Sequence, residues 1–250
     1  MTLSLLTALV STAAAQVPLP TPPPSHLDAL AMTRVPDVVG AGIVYENPLR
    51  LRAGASAGFI PEGYANIVDD IARDLGAWDE TTGYVVGQLL PGSVTLRADV
   101  GWRPLADKQW SVAVGYQRVW LRGEVSPYEV TDALKDFDGL EELASADKAE
   151  LKNNPNLYLP EILVGAGLHQ MTFESGYQWE TPERILLRLS LGAAMTLNAN
   201  SQVDMDDIIY EDVTIETDPY RSDASTQLDE TLRKYFHTPT IGVAVGYRFR

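Results

Sequence analysis

The C-terminal stretch Ile241-Gly242-Val243-Ala244-Val245-Gly246-Tyr247-Arg248-Phe249 places a large apolar side chain at every second position. In an extended chain successive side chains point to opposite faces. Ile241, Val243, Val245, Tyr247 and Phe249 therefore share one face, and Gly242, Ala244, Gly246 and Arg248 the other. One face suits an apolar solvent; the opposite face is small and carries a single charge. The same period recurs upstream. Over Arg184 to Asn198, Ile185, Leu187, Leu189, Leu191, Ala193, Met195 and Leu197 fall on one face, with Leu186 the exception on the other. Ser93 to Arg103 sets Val94, Leu96, Ala98, Val100 and Trp102 against Thr95, Arg97, Asp99, Gly101 and Arg103, and Leu49 to Ile60 behaves alike. Val39 to Tyr45 and Trp110 to Tyr116 alternate as well.

A soluble sandwich also alternates, so the identity of the solvent rests on three further features. The alternating runs are about 9 to 13 residues long, near what a tilted strand needs to cross a bilayer. The polar face is built of Gly, Ser, Arg and Asp, as a narrow lumen requires. Aromatics gather at strand ends beside short connections. These features predict an all-β, antiparallel transmembrane barrel of eight strands.

Short connections at Pro104 to Gln109 and Glu180 to Glu183 alternate with long segments near 124–157 and 199–238. With a periplasmic C-terminus, the long segments become extracellular loops. Trp102, Trp110, Tyr177, Trp179, Tyr247 and Phe249 then form an aromatic girdle at the periplasmic interface. Seven strands are plain, and Tyr84 to Leu90 is the expected eighth, joined to Ser93 by Pro91-Gly92. That count makes Glu46-Asn47-Pro48 an outer hairpin and leaves 61–82 periplasmic. Between Leu168 and Met171 the apolar face changes parity, which predicts a bulge near His169 or a strand projecting well past the bilayer.

Met1 to Gln16 reads as a signal peptide, with an apolar stretch from Leu3 to Val10 and Ala13-Ala14-Ala15 before Gln16, although no Lys or Arg precedes it. Val17 to Pro24 holds five prolines in eight residues, an extended spacer. The expected organisation is a signal peptide over 1–15, a Pro-rich spacer over 16–37 and a barrel over 38–250. The formal net charge of −15 argues against nucleic acid as a partner. The absence of cysteine excludes disulfides, thiolate metal sites and a lipoprotein anchor.

On these residues the chain resembles the small eight-stranded bacterial outer-membrane barrels of the OmpA and OmpX kind. The resemblance is carried by the signal peptide and the terminal strand with its aromatic close at Tyr247 and Phe249, followed here by Arg250. It implies a Gram-negative outer-membrane location, lipid and lipopolysaccharide around a monomer, and recognition of the last strand by the barrel-assembly machinery. An activity does not follow from it.

The predicted lumen face carries Arg50, Arg52, Arg97, Asp99, Arg103, Arg184, Arg188 and Arg248, with Glu161 and Glu174 as partners. An eight-stranded barrel is just wide enough for side chains to fill, so these charges form either a plug or the lining of a small anion-favouring pore. Barrel size favours the plug. The long segments are acidic: 124–157 holds nine Asp or Glu against three Lys, and 199–238 ten against three basic residues. Asp204, Asp206 and Asp207 are a weak metal candidate, since no EF-hand or glycine-rich calcium repeat surrounds them. His26, His169 and His237 sit in no Ser-His or Asp-His signature, so no catalytic residue is assigned and no cofactor is expected. The expected role is non-enzymatic, structural or surface-interacting, with the anion pore as alternative and an outer-membrane hydrolase third.

Overall fold

The computed structural model describes residues 25–249 except 36–37, 68–86, 106–108, 127–156, 159–160, 205, 207, 211–212 and 216–217. Eight strands close into one antiparallel barrel. They are β1 (His26–Val35), β2 (Val38–Glu46), β3 (Leu51–Phe59), β4 (Val94–Trp102), β5 (Trp110–Val125), β7 (Ile162–Glu180), β8 (Ile185–Asp204) and β11 (His237–Phe249). Each pairs with its neighbour in sequence along this series, and β11 returns to β1 with Leu27 opposite Phe249 and Val35 opposite Ile241. The short strands β6 (Leu157–Tyr158), β9 (Ile208–Tyr210) and β10 (Val213–Ile215) form a separate three-stranded sheet, and α1 (Asp218–Tyr235) leads into β11. The predicted signal peptide lies outside the described residues.

The count of eight stands, but its first member differs from the expected one. His26–Val35 is the strand that meets the C-terminal strand, so the barrel begins within the expected spacer. Of Tyr84 to Leu90, residues 84–86 lie outside the described residues and 87–89 form a helical turn. Leu89 and Leu90 are both fully buried, and two consecutive buried side chains suit a turn of helix better than a two-faced strand. The alternation of β1 is hard to see because Leu30 and Met32 point inward beside His26, Asp28 and Arg34, while outward positions include the small Ala29 and Ala31.

This replacement reverses the sidedness of the N-terminal hairpin. The turn at 47–50 now shares one end of the barrel with the connections at 103–109 and 181–184 and with both ends of the described chain. The strand ends that border 36–37, 60–93, 126–161 and 205–236 all lie at the other end, so the segment expected on the periplasmic side at 61–82 starts there instead, and 68–82 lie outside the described residues. The 199–238 segment is no simple loop: β8 runs on to Asp204, and most of the remainder is α1.

The walls are uneven in height. β1 to β4 have 9 or 10 residues, whereas β5, β7 and β8 have 16, 19 and 20. The three tall strands project beyond the others at the long-segment end, and their hydropathy inverts along the way. Below the row Arg118–His169–Asn198, the outer face is apolar, with Val114, Tyr116, Met171, Phe173, Leu189 and Leu191 exposed. In that row and above it Arg118, Arg122, Asn198, Asn200 and Gln202 are exposed, beside the apolar Trp120 and Leu163, and Val119, Leu121, Val164, Leu168 and Ala199 are buried within. Leu232 and Phe236 at the end of α1, with Leu89 and Leu90, complete this apolar cap.

The bulge expected near His169 is present. The ladder slips between His169 and Gln170, where His169 faces Asn198 and Gln170 faces Thr196. The extra residue is Leu197 on β8, so the bulge belongs to the partner strand.

β2 and β3 curl closely together on the inner face. Gly40 and Gly58 face each other inward, and a Cβ on Gly40 would lie 2.1 Å from the Ala57 carbonyl oxygen. Only a residue without a side chain permits the two backbones to curl this closely.

Candidate functional site

Among the described residues, buried charge gathers in the lumen, and it does so in layers. At the turn end, the floor is fixed by two hairpins of nearly the same sequence, Glu46-Asn47-Pro48-Leu49-Arg50-Leu51 and Glu180-Thr181-Pro182-Glu183-Arg184-Ile185. In each, the residue after the glutamate caps the turn. Asn47 Oδ1 accepts from the amides of Leu49 and Leu51, and Thr181 Oγ1 from that of Ile185. Proline presets the first turn residue. Arg50 and Arg184 follow at φ of 64° and 67°. Their carbonyls accept the backbone amides of Arg103 and Arg248 at 3.1 Å. Those same arginines reach back with their side chains, Arg103 to Glu46 and Arg248 to Glu180. Each turn glutamate is thereby clamped by an arginine from a neighbouring strand.

Around this pair of clamps, Arg248 also grips Asp28 with Nε and Nη2 at 2.9 and 3.1 Å. Arg52 donates to Ser111 Oγ at 2.9 Å and to Gln178 Oε1 at 3.3 Å, and lies 3.7 Å from Glu46. His26 stands between Asp28 and Glu46, at 3.9 and 3.7 Å. Above the floor a small apolar layer of Leu30, Val44, Leu186 and Ala244 crosses the lumen, which explains why Leu186 broke the alternation of β8.

A second charged layer centres on Glu174. Arg188 Nη2 and Arg97 Nη1 lie 2.7 and 2.8 Å from its carboxylate, Arg34 Nη1 lies 3.8 Å away, and Asp99 lies 3.4 Å from Arg97 Nε. Towards the long-segment end, Gln117 donates to Gln170, which donates to Thr196 Oγ1, which donates to the Phe236 carbonyl. This uncharged ladder separates the charged lumen from the apolar cap. The space left beside the Glu174 layer is a cavity of about 40 Å³.

Of the eight expected lumen residues, Arg52, Arg97, Asp99, Arg103, Arg188 and Arg248 are brought together here. Arg50 and Arg184 are not: the strand register was extended one residue too far, and each occupies a turn position with left-handed backbone. Of the two expected partners, Glu174 is the hub of its layer, while Glu161 is exposed just before β7. Sequence reasoning missed His26, Asp28 and Arg34 because β1 was taken for spacer. It missed Glu46 and Glu180 because both precede a turn proline and resemble ordinary turn residues.

The six expected girdle aromatics are all exposed at the turn end, with Tyr177 against Trp179 at 4.8 Å and Tyr247 against Phe249 at 5.1 Å between ring centroids. Leu27, Tyr45 and Leu51 join them. The histidines are dispersed. His26 is in the floor, His169 bonds the Tyr116 hydroxyl on the outer surface, and His237 Nδ1 accepts the Thr196 amide at 3.1 Å. Asp204 is exposed and 3.5 Å from Arg221, Asp206 is exposed, and Asp207 lies outside the described residues. The acidic segment 127–156 also lies outside them.

No protein-family model and no curated protein matches the sequence. Among solved structures, the chain is similar to CarO of Acinetobacter baumannii. The alignment covers 91% of this chain and 98% of that one at 12% identity and a TM-score of 0.39. A likeness so remote carries no argument about the lumen.

Proposed function

We propose that this chain is a bacterial outer-membrane barrel of the small eight-stranded kind, with a non-enzymatic structural or surface-interaction role and a lumen closed by its own side chains. The observation that carries the reading is the inversion of hydropathy within single strands. Met171 to Trp179 in β7 and Ile241 to Phe249 in β11 give nine-residue spans whose large outward residues are apolar, close to what a tilted strand needs to cross hydrocarbon. Beyond the row through Arg118, the outer face turns mostly polar, Trp120 and Leu163 excepted, and the inner face apolar, as it would where the wall leaves the bilayer for water. The aromatic end then faces the periplasm and the long segments face outward, with lipid and lipopolysaccharide around the wall.

Closure is supported by the stack of two ion-pair layers, the apolar layer between them and the glutamine ladder above. Planar-bilayer recording of the refolded chain tests it: a silent bilayer is expected, and stable single-channel currents would overturn closure. One observation favours an anion-selective pore as the second reading, namely the slight excess of arginine in the lumen. Cell fractionation with heat-modifiable gel mobility tests the membrane reading itself, which a soluble periplasmic protein lacking a mobility shift would refute.

A further inference from the structure

The Glu174 layer contains more positive charge than its carboxylates neutralise. Arg34, Arg97 and Arg188 face Glu174 and Asp99, three guanidiniums against two carboxylates. The floor does not make up the difference, because Arg52, Arg103 and Arg248 there meet Asp28, Glu46 and Glu180 one for one, with His26 beside them. A guanidinium cannot shed its proton to escape burial, and an uncompensated ion away from water is costly. Arg34, Arg97 and Arg188 are only 5%, 7% and 9% exposed; the Nε atoms of Arg34 and Arg188 are buried without a hydrogen-bond partner, and that of Arg97 has only the ion-pair contact to Asp99 at 3.4 Å. Glu174 has only two oxygens to share among three arginines. Arg34, at 3.8 Å, holds the loosest pair.

Against this layer lies the cavity of about 40 Å³. Arg34, Arg97, Arg188, Ser190 and the carboxylate residues Asp99 and Glu174 line its polar side, a net positive lining, with Leu30 and Val44 also on its wall. A buried water needs roughly 10–15 Å³ of such space, so the cavity has room for about three waters, or for one monatomic ion with one or two waters. Positive surplus, unsatisfied donors and a matching volume coincide at one point.

We propose that this cavity is a binding site for one small monovalent anion of the halide class, held by the guanidiniums of Arg34, Arg97 and Arg188. The ion completes the charge balance of the plug, so the proposal rests on the closed-lumen reading.

The test uses the full chain refolded in non-ionic detergent. Thermal unfolding is followed by heat-modifiable mobility in sodium chloride, sodium bromide and sodium gluconate at fixed ionic strength. A ligand of the folded state raises the midpoint as its concentration exceeds Kd, so the midpoint should climb with either halide and stay flat in gluconate. Arg34→Gln removes the surplus cation while leaving Arg97 and Arg188 on Glu174. It should weaken apparent halide affinity at least about ten-fold, as expected for loss of a charge-assisted contact. Crystals of the unsubstituted chain grown in bromide should show an anomalous peak among the three guanidiniums, a readout that holds even if Arg34→Gln fails to fold. Identical midpoints in chloride and gluconate, unchanged halide dependence in a folded Arg34→Gln, or no bromide peak in the cavity would each overturn the proposal. A folded, non-conducting, halide-insensitive barrel would sink the anion site alone, whereas a conducting one would sink closure first.

Discussion

Glu174→Gln is the sharpest test of the lumen, because it removes one charge and almost no volume. The carboxylate is about 10% exposed and pairs with Arg97 and Arg188 at hydrogen-bond distance, with Arg34 further out. After the substitution three buried guanidiniums face Asp99 alone. Breaking a buried pair by removing one partner costs about 3–5 kcal/mol, since the remaining ion is left uncompensated. With a urea slope of about 2–3 kcal/mol/M, the unfolding midpoint should fall by roughly 1–2 M. The assay is equilibrium urea unfolding in phospholipid vesicles, with tryptophan fluorescence and gel mobility as independent probes. Glu180→Gln is the internal control: its side chain is 22% exposed at the rim, and its loss should cost about 1 kcal/mol or less. The double variant Glu174→Gln with Arg34→Gln should recover part of the loss, because the second change removes one of the stranded cations. A loss below about 1 kcal/mol for Glu174→Gln would mean that water screens the layer, and the description of the lumen as a dry plug would be refuted.

Other parts of the structure give independent outcomes. Arg50→Gly and Arg184→Gly should each stabilise the barrel by about 0.5–1 kcal/mol, because both residues hold a left-handed backbone that favours glycine. If their side chains belonged to the lumen network, as their strand parity suggested, urea titration would show destabilisation instead. Gly40→Ala should destabilise by about 3 kcal/mol, at the upper end for overpacking, because the new Cβ would meet the Ala57 carbonyl. A folded yield and urea midpoint equal to the parent would contradict the curvature described at β2 and β3. Leu232→Ala should cost about 2–5 kcal/mol in the cap, where Leu232 is 1% exposed. Limited proteolysis should then cut the long-segment end while the barrel keeps its heat-modifiable mobility, and simultaneous loss of both would refute a cap that is separable from the barrel.

How much of this was legible beforehand depended on whether a feature repeats locally along the chain. Alternation with a period of two is a property of each strand by itself, so the sequence determined that β3, β4, β5, β8 and β11 are strands and which of their residues face in. It also determined that Trp102, Trp110, Tyr177, Trp179, Tyr247 and Phe249 lie exposed at one end of the barrel, because all neighbour short connections. Apart from Arg34 on β1, the inward-facing arginines followed from the same parity, which was carried too far at Arg50 and Arg184, where a turn begins.

Other features depend on which strand lies beside which, and these only the tertiary structure decided. β1 shows little alternation, since Leu30 and Met32 face a lumen that is locally apolar, and its role as the closing strand appears only in its pairing with β11. Fixing β1 in turn reversed the sidedness of the 47–50 turn and of the segment after β3. The partners of the arginines were invisible for the same reason. Asp28 and Arg248 are 220 residues apart in sequence, and Glu46 meets Arg103 only because the turn after β2 comes beside the end of β4. Hydropathy along the chain records the surroundings of the wall, whereas charge pairing inside the lumen is set by barrel closure, which brings β1 and β11 together.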